Sequence, residues 1–173
     1  MTSKSVHTRL SAILMCAAIA ACSVGEDTQS QFHDFTKESG QKASFSFVMS
    51  DSACVYAVDL MARFIKGQGP ESVTADIIIV SPSGITGTET VTLPSDYSGI
   101  SRYLRENPSE KRIDIAGTTS YYDIRWQYRS GIIPQESGTW TMNVSFRDST
   151  GSITGAGIIV TSGGQMTPND DID

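Results

Sequence analysis

The chain has 173 residues and a formal net charge of −6, from 13 basic and 19 acidic side chains. This length indicates one domain, or one domain plus a tail. A fraction of 39% apolar with 18% charged residues is typical of a globular chain rather than a disordered one. The acidic balance argues against a nucleic-acid partner, because phosphate backbones bind basic surfaces. Two His and three Cys are too few for a large metal or disulfide framework.

Residues 1–21 are predicted to be a lipoprotein signal peptide. Lys4 and Arg9 stand in the first nine residues without an acid, and a run of twelve small or apolar residues follows from Leu10 to Ala21. A helix of that length measures about 18 Å, which is too short for a bilayer core of about 30 Å. A basic start and a short apolar run are typical of a secretory signal peptide.

The apolar run ends in Ile19-Ala20-Ala21-Cys22, which resembles the lipobox of bacterial lipoproteins. In that family the cysteine thiol is diacylated and the peptide bond before it is cut. The resemblance implies lipidation of Cys22 and a membrane anchor, since each buried CH₂ of an acyl chain contributes about 0.8 kcal/mol. The alternative is an ordinary signal peptide that contains a cysteine. Cleavage would remove Lys4 and Arg9 and change the net charge from −6 to −8.

The residues after Cys22 bear on localisation. Ser23-Val24, with no Asp beside the cysteine, resemble the residues that sort lipoproteins to the outer membrane. We therefore expect a lipid anchor in the cell outer membrane, on its periplasmic or surface face. Glu26-Asp27 is similar to the acidic export tag of surface lipoproteins, although a solvated tether explains these two acids equally well. Residues 22–31 are polar and predict a flexible tether.

From Phe32 onward the apolar residues follow a period of two, which is typical of strands with one buried and one wet face. The alternation is clearest from Tyr56 to Phe64, from Tyr122 to Tyr128 and from Trp140 to Phe146. Such strands with turn residues between them predict an all-β fold over residues 32–162. We expect an antiparallel β-sandwich of about seven to nine strands, either immunoglobulin-like or jelly-roll-like. Residues 163–173 predict an acidic flexible tail.

The connection from Pro94 to Gly117 breaks this pattern and is expected to be a loop with at most one or two helical turns. Its best helical segment is Ser98 to Asn107, where three apolar residues form a short stripe before Pro108. Cys54 begins an apolar run, so we expect its thiol to be buried.

Residues that could perform catalysis are scarce. Cleavage would leave His33, near the tether, as the one histidine, which argues against a His-assisted nucleophile and against a metal site. The acids within predicted strands are Asp76, Glu89, Asp114 and Asp123. Two of them about 5–9.5 Å apart could support glycosidase chemistry, but solvent-facing positions explain them equally well. We therefore predict a protein that is not an enzyme and holds no cofactor and no metal ion.

Aromatic side chains are the remaining evidence for binding. Trp126 and Trp140 alternate with polar residues and share a strand face with the apolar ones, so we expect both in the core. The candidate partner or glycan contacts are Tyr97, Tyr103, Tyr121 and Arg125. Arg125 shares an outer strand face with Tyr121, and this row is either a partner surface or simply the wet side of a sheet.

Three segments carry motifs of a known family. Ile133 to Thr141 is similar to its F-P-x-x-G-T-Y-T segment, Ile153 to Val160 to its closing I-x-G-V-G-F-x-I strand, and Ile78 to Leu93 to its P-x-G… D-T-L hairpin. On these motifs the chain resembles the GldH family of gliding-motility-associated lipoproteins from the Bacteroidetes. It departs from that family at Tyr97 to Asp114, which replace a Gly/Trp-rich loop, and at Arg147 to Gly151, where an H-x-M-R stretch is absent.

The resemblance implies a lipid-anchored accessory of cell-envelope machinery, linked to gliding and to a secretion apparatus, without catalytic residues. We therefore expect a non-enzymatic scaffold or partner-binding module. Its partners would be the membrane, through Cys22, and envelope secretion or motility proteins. The alternative is a surface glycan-binding lipoprotein for nutrient capture, and it predicts that Tyr97, Tyr103 or Tyr121 lie exposed together in a concave patch.

Overall fold

The computed structural model describes residues 27–108 and 112–165. Strands and one helix account for most of them: β1 (Thr28–Asp34), β2 (Lys42–Met49), β3 (Cys54–Ile65), β4 (Ser72–Val80), β5 (Thr86–Pro94), α1 (Tyr97–Glu106), β6 (Ile113–Gly117), β7 (Tyr121–Ile132), β8 (Gly138–Arg147) and β9 (Ile153–Gln165). Within these ranges, no helix is long and apolar enough to cross a bilayer.

The strands form two antiparallel sheets, one of five strands in the order β1-β9-β3-β7-β6 and one of four in the order β2-β8-β4-β5. β1 pairs with β9, β2 with β8, β3 with β7 and β4 with β5, so the chain is a long hairpin rolled into two layers. This is the jelly-roll order, with β6 added at one edge of the larger sheet. The predicted all-β sandwich is confirmed, and the strand order selects its jelly-roll alternative.

The core lies between the two sheets and consists of the inward-facing parity of their strands. Phe45, Phe64 and Leu60 are fully buried, and each such side chain contributes about 1.5–3 kcal/mol through burial. Trp126 is buried and its indole Nε1 donates to the Pro94 carbonyl at 2.9 Å. Trp140 is half-buried against the same core. The expected core positions of both tryptophans are confirmed.

The predicted tether and tail boundaries are wrong by a few residues. β1 begins at Thr28, four residues before the predicted domain start at Phe32, because residues 28–31 pair with residues 158–161 of β9. At the other end β9 continues to Gln165, because its last residues pair with the start of β3. The signal peptide, Cys22 and residues 166–173 lie outside the described residues.

Two glutamines explain why the sequence at the start of β1 predicted a polar tether instead of a strand. Gln29 and Gln31 face inward, toward the edge strand β2. The Gln29 amide donates to the Val48 carbonyl at 2.7 Å and accepts from the Val48 amide at 2.9 Å, and Gln31 Nε2 donates to the Ser46 carbonyl at 2.5 Å. These side chains therefore satisfy backbone groups at the edge of the smaller sheet, which apolar residues could not do.

The connection from Pro94 to Gly117 is more ordered than expected. It holds α1, a helix of ten residues, and the short strand β6, which pairs with β7. Asp96 starts the helix, because its Oδ1 accepts from the Gly99 amide at 2.6 Å. Ile100 is buried against the sandwich and anchors the first turn. The prediction of a loop with at most two turns is wrong, since this cap and this anchor stabilise a longer helix.

Candidate functional site

A groove of about 600 Å³ opens at one end of the sandwich and has the most exposed aromatic side chain of the described chain. Tyr97, at the start of α1, is 82% exposed, and Ile115 of β6 is 48% exposed. The lining residues are Lys66, Gly67, Gly69, Asp96, Tyr97, Ile100, Ile115, Gly117, Thr118 and Tyr122. We call this region the Tyr97 groove. It offers an apolar contact surface between one amine and one carboxylate.

The floor of the Tyr97 groove is rigid. The Tyr122 ring stacks on Phe64 with centroids 5.3 Å apart, and its hydroxyl donates to the Ser95 carbonyl at 2.8 Å. A Cβ on Gly69 would lie 2.6 Å from that hydroxyl, so any other residue there would have to displace the Tyr122 side chain. Burial raises the pKa of Tyr122, and the carboxylate of Asp96 adds to this effect. The phenol therefore stays a neutral hydrogen-bond donor.

The groove lies at the end of the sandwich opposite Thr28, the first residue of β1. Thr28, where β1 starts, is level with Thr161 of β9. Asp34, where β1 ends, is level with Gly155 and hence, through successive pairings, with Arg63 and Asp123. Lys66 and Thr118 follow the strand ends at that same level. With about 3.4 Å per residue, the length of β1 alone places the groove roughly 20 Å from Thr28.

A second concave region lies on the outer face of the five-stranded sheet and measures about 440 Å³. The residues around it are Thr28, Ala57, Asp59, Arg112, Asp114, Arg125, Gln127, Ile159 and Thr161. We call this region the Asp59 depression. Asp59 is only 8% exposed, and Arg125 Nε donates to its Oδ2 at 2.6 Å. An aspartate on an outer sheet face is thus almost fully buried beside one guanidinium.

A second ion pair flanks the depression toward the groove end. Arg63 bonds both carboxylate oxygens of Asp123, at 2.8 and 3.0 Å, and its guanidinium carbon lies 4.7 Å from the Phe32 ring centre. The hydrogen bond to Asp123 raises the pKa of Arg63, so the pair stays charged. The outer face of this sheet is therefore an array of fixed ion pairs.

All four acids that the sequence places in strands are in ion pairs with arginine. Asp76 pairs with Arg147, Glu89 with Arg129, Asp114 with Arg112 and Asp123 with Arg63. The hydrogen bonds from Arg147 lower the pKa of Asp76, and Thr90 adds to this effect. A glycosidase needs one carboxyl whose pKa is raised so that it can donate a proton. For Asp76 the shift has the opposite sign.

The structure separates the residues predicted to contact a partner or glycan. Tyr97 lines the groove, whereas Tyr103 lines a small cleft of about 50 Å³ against β5 and β7. Tyr121 is 43% exposed on the outer face of β7. Arg125 lies in the Asp59 depression. The three tyrosines therefore do not share the concave patch that the glycan-binding alternative predicted.

Sequence reasoning missed Asp59 as a site residue. One signal was available, because Asp59 is the single acid inside the apolar run from Tyr56 to Phe64. The ion pair of Asp59 could not be predicted from the sequence. Its partner Arg125 is 66 residues away and comes close only because β3 pairs with β7. Arg129, four residues after Arg125 on the same strand, turns toward Glu89 of the other sheet.

Among residues 27–108 and 112–165, no group of three or more His, Cys, Asp or Glu side chains is arranged to hold a metal ion. His33 packs edge-on against Phe45, with ring centres 5.2 Å apart. Cys54 was expected to be buried, but it is only half-buried, and its thiol donates to Asp51 Oδ2 at 3.5 Å. The thiol lies where β3 begins and a polar turn brings Asp51 beside it.

Comparison with protein-family models, with curated proteins and with solved structures finds no match for this chain. The resemblance to gliding-motility-associated lipoproteins therefore stays a prediction from sequence motifs.

Proposed function

We propose that this protein is a lipid-anchored, non-enzymatic partner-binding module of the bacterial cell envelope, similar in role to gliding-motility-associated lipoproteins. The observation that carries this proposal is the placement of the Tyr97 groove at the end of the sandwich opposite Thr28. A chain anchored before Thr28 would present that groove away from the membrane, where a second envelope protein can reach it.

The short distance between the proposed anchor and the first strand supports this orientation. Five residues, 23–27, separate Cys22 from Thr28. Fully extended, such a segment spans at most about 20 Å. The end of the domain at Thr28 would thus stay near the bilayer surface, and the opposite end would project outward. Two or three acyl chains on Cys22 would make the attachment effectively permanent.

The ion pairs of the strand acids support a binding role over an enzymatic one. Asp76, Glu89, Asp114 and Asp123 each contact a guanidinium, which favours the charged carboxylate. Such groups hold a surface rigid and present fixed hydrogen-bonding atoms. They are poorly suited to the proton exchange of general acid catalysis.

The anchor is tested by feeding cells that express the full-length chain an alkyne-tagged fatty acid. We expect the label on the wild type and its complete loss in Cys22→Ser. The matched control is Cys54→Ser, which changes a half-buried thiol and should keep the label. Label that survives Cys22→Ser would contradict lipidation at that residue.

The groove is tested by placing a photo-crosslinking amino acid at Tyr97 and irradiating living cells of the source organism. We expect a discrete adduct with one envelope protein, because Tyr97 lies open beside an apolar floor. The control site is Thr88, an exposed strand residue outside the groove. The same adducts at both positions, or none at Tyr97, would contradict partner binding through the groove.

Surface glycan binding is a second candidate function, and a different observation favours it. The Asp59 depression combines paired charges, free hydrogen-bonding groups and an apolar floor in one concavity. This support is independent of the three tyrosines on which the hypothesis first depended.

A further inference from the structure

We propose that the Asp59 depression is a binding site for a neutral saccharide ring, which rests on the second candidate function and gives it a location and a ligand class. The depression holds about 440 Å³, within the range of roughly 300–1,000 Å³ that small-molecule sites occupy. Four properties of its residues lead to this ligand.

The first property is an open acceptor on a buried charge. Asp59 is 8% exposed, and both contacts from Arg125 go to Oδ2. Oδ1 accepts no hydrogen bond from any residue that the structure describes, and Asp59 is one of the residues that line the depression. Among the described residues the fully buried side-chain polar atom without a partner is Trp140 Nε1, so Asp59 Oδ1 keeps some contact with solvent. A ligand hydroxyl could therefore donate a hydrogen bond to it.

The second property is charge balance. Two guanidiniums, of Arg112 and Arg125, face two carboxylates, of Asp59 and Asp114. Arg112 Nε donates to Asp114 Oδ2 at 2.9 Å, so these two residues also form an ion pair with each other. The opposite charges of each pair largely cancel, so the depression offers little net attraction to a cation or to an anion. The arrangement therefore suits a ligand with polar groups and no net charge.

The third property is the supply of hydrogen-bonding groups of both kinds. Gln127, Thr28 and Thr161 line the depression. Neither the Gln127 amide nitrogen nor the two threonine hydroxyls donate to another residue in the described parts of the chain. A sugar hydroxyl donates one hydrogen bond and accepts two. Neighbouring hydroxyls of one ring could thus donate to Asp59 and accept from Gln127. The fixed ion pairs would hold these partners in place before binding, which lowers the entropic cost.

The fourth property is the floor. Ile159 of β9 is level with Asp59, and Ala57 lies two residues before Asp59 on β3, so both apolar side chains are on the outer face beside Asp59. A pyranose ring has an apolar face of C–H groups, which would gain from leaving water against this patch. Polar walls around a small apolar floor fit a ring with equatorial hydroxyls better than a peptide chain or a metal ion.

Isothermal titration calorimetry tests the site with the full-length chain in a sugar-free detergent. The ligands are the neutral disaccharides cellobiose, maltose and N,N′-diacetylchitobiose, with glucuronate and glucosamine as charged comparisons. We expect saturable binding of at least one neutral disaccharide. Asp59→Asn should weaken it about tenfold or more, because a charge-assisted hydrogen bond is lost. Gln127→Met, which keeps the shape and removes the amide, should also weaken it.

Asp76→Asn is the matched control, because Asp76 also pairs with an arginine on an outer sheet face, outside the depression. We expect it to bind the disaccharide with wild-type affinity. Circular dichroism melting of each variant separates lost binding from lost folding, and Gln127→Met keeps the test usable if Asp59→Asn unfolds.

Absence of binding for all three disaccharides would overturn the proposal, as would equal weakening by Asp59→Asn and Asp76→Asn. Tighter binding of glucuronate or glucosamine than of the neutral sugars would also overturn it, since the charge balance predicts the reverse. These outcomes leave the lipid label on Cys22 and the crosslink at Tyr97 unaffected. Failure of the saccharide site is therefore distinguishable from failure of the partner-binding function.

Discussion

The outer faces of the two sheets carry the same chemical pair, a strand aspartate with an arginine from a neighbouring strand, in two different surroundings. On the five-stranded sheet Asp59 is 8% exposed and uses one carboxylate oxygen for Arg125. On the four-stranded sheet the Asp76 side chain is 32% exposed, and Arg147 and Thr90 occupy both its oxygens. In the Asp59–Arg125 pair, one carboxylate oxygen accepts no hydrogen bond from a described residue. In the Asp76–Arg147 pair, both carboxylate oxygens accept hydrogen bonds.

The neighbours of each aspartate cause this difference. Asp59 is level with Ile159 on one side and Gln127 on the other, and these larger side chains cover it. Asp76 is level with Ser145 and Thr90, whose small side chains leave it in water. An Asp–Arg pair by itself therefore indicates neither a binding site nor a purely structural ion pair. Burial and unused hydrogen-bonding capacity decide between the two.

The largest expected effect is on the free energy of unfolding when Asp59 is removed. Asp59→Ala should lower it by about 3 kcal/mol, because Arg125 then stays partly buried without its carboxylate. This is the low end of the range for buried pairs, since the Arg125 side chain keeps 32% of its surface exposed. Urea denaturation of the full-length chain measures the loss.

The matched change on the other sheet, Asp76→Ala, should cost clearly less, because water replaces the lost partner of an exposed arginine. An equal or larger loss for Asp76→Ala would show that burial does not distinguish the two pairs.

The next effect concerns two strand glycines. A Cβ on Gly157, on the five-stranded sheet, would lie 2.6 Å from the Gln31 carbonyl oxygen and 2.9 Å from the Phe32 ring. Gly157→Ala should therefore destabilise the domain by roughly 1–3 kcal/mol, because backbone has to move. Gly87→Ala, on the four-stranded sheet, has open space around the new methyl group and should change stability by less than about 0.5 kcal/mol.

Thermal melting followed by circular dichroism compares the two variants. Similar melting temperatures for Gly157→Ala and the wild type would contradict the close contact between β1 and β9.

The smallest effect is the pH dependence that Asp76 contributes. Its pKa in the folded chain is lowered below the ordinary 3.8, chiefly by hydrogen bonds from Arg147. A lowered folded pKa adds stability that is fully present above the unfolded pKa and is lost as the pH falls through the folded value. The stability difference between the wild type and Asp76→Asn should thus be constant from pH 7 to pH 5 and shrink below about pH 4.

Arg147→Gln sharpens this last test. It removes the main cause of the shift, so an NMR titration of the Asp76 carboxyl should show its pKa move upward toward the ordinary value. An unchanged pKa in Arg147→Gln would assign the shift to Thr90 instead.

The strands were predictable where their apolar residues alternate without interruption. β7 and β8 show this most clearly, because one face of each packs on the core and the other meets water. β1 was missed in part because Gln29 and Gln31 occupy inward-facing positions, where they bond the backbone of β2. The helix α1 was underestimated because its stripe is short, since Leu104 remains exposed while Ile100 is buried.

The candidate sites were predictable only in part. Tyr97 was selected as an exposed contact, and it does line a groove. Arg125 was selected as part of an outer row, but its environment depends on Asp59 from a strand far away in the chain. Single-strand parity gives the side of the sheet on which a residue lies. It does not give the neighbours from other strands that bury it or leave it open.

The sequence by itself determined the class of the fold and the inward face of most strands, because periodicity is a local pattern. Lipid attachment at Cys22 stays a prediction from the lipobox, which is also a local pattern. Only the tertiary structure decided three features: the jelly-roll strand order, the hydrogen bonds from Gln29 and Gln31 to the backbone of β2, and the burial of Asp59. These features depend on which strands pair and in what register, and the side-chain period of two is the same for every pairing. Long-range packing decides which strands pair and in what register. It therefore also decides where the Tyr97 groove and the Asp59 depression lie.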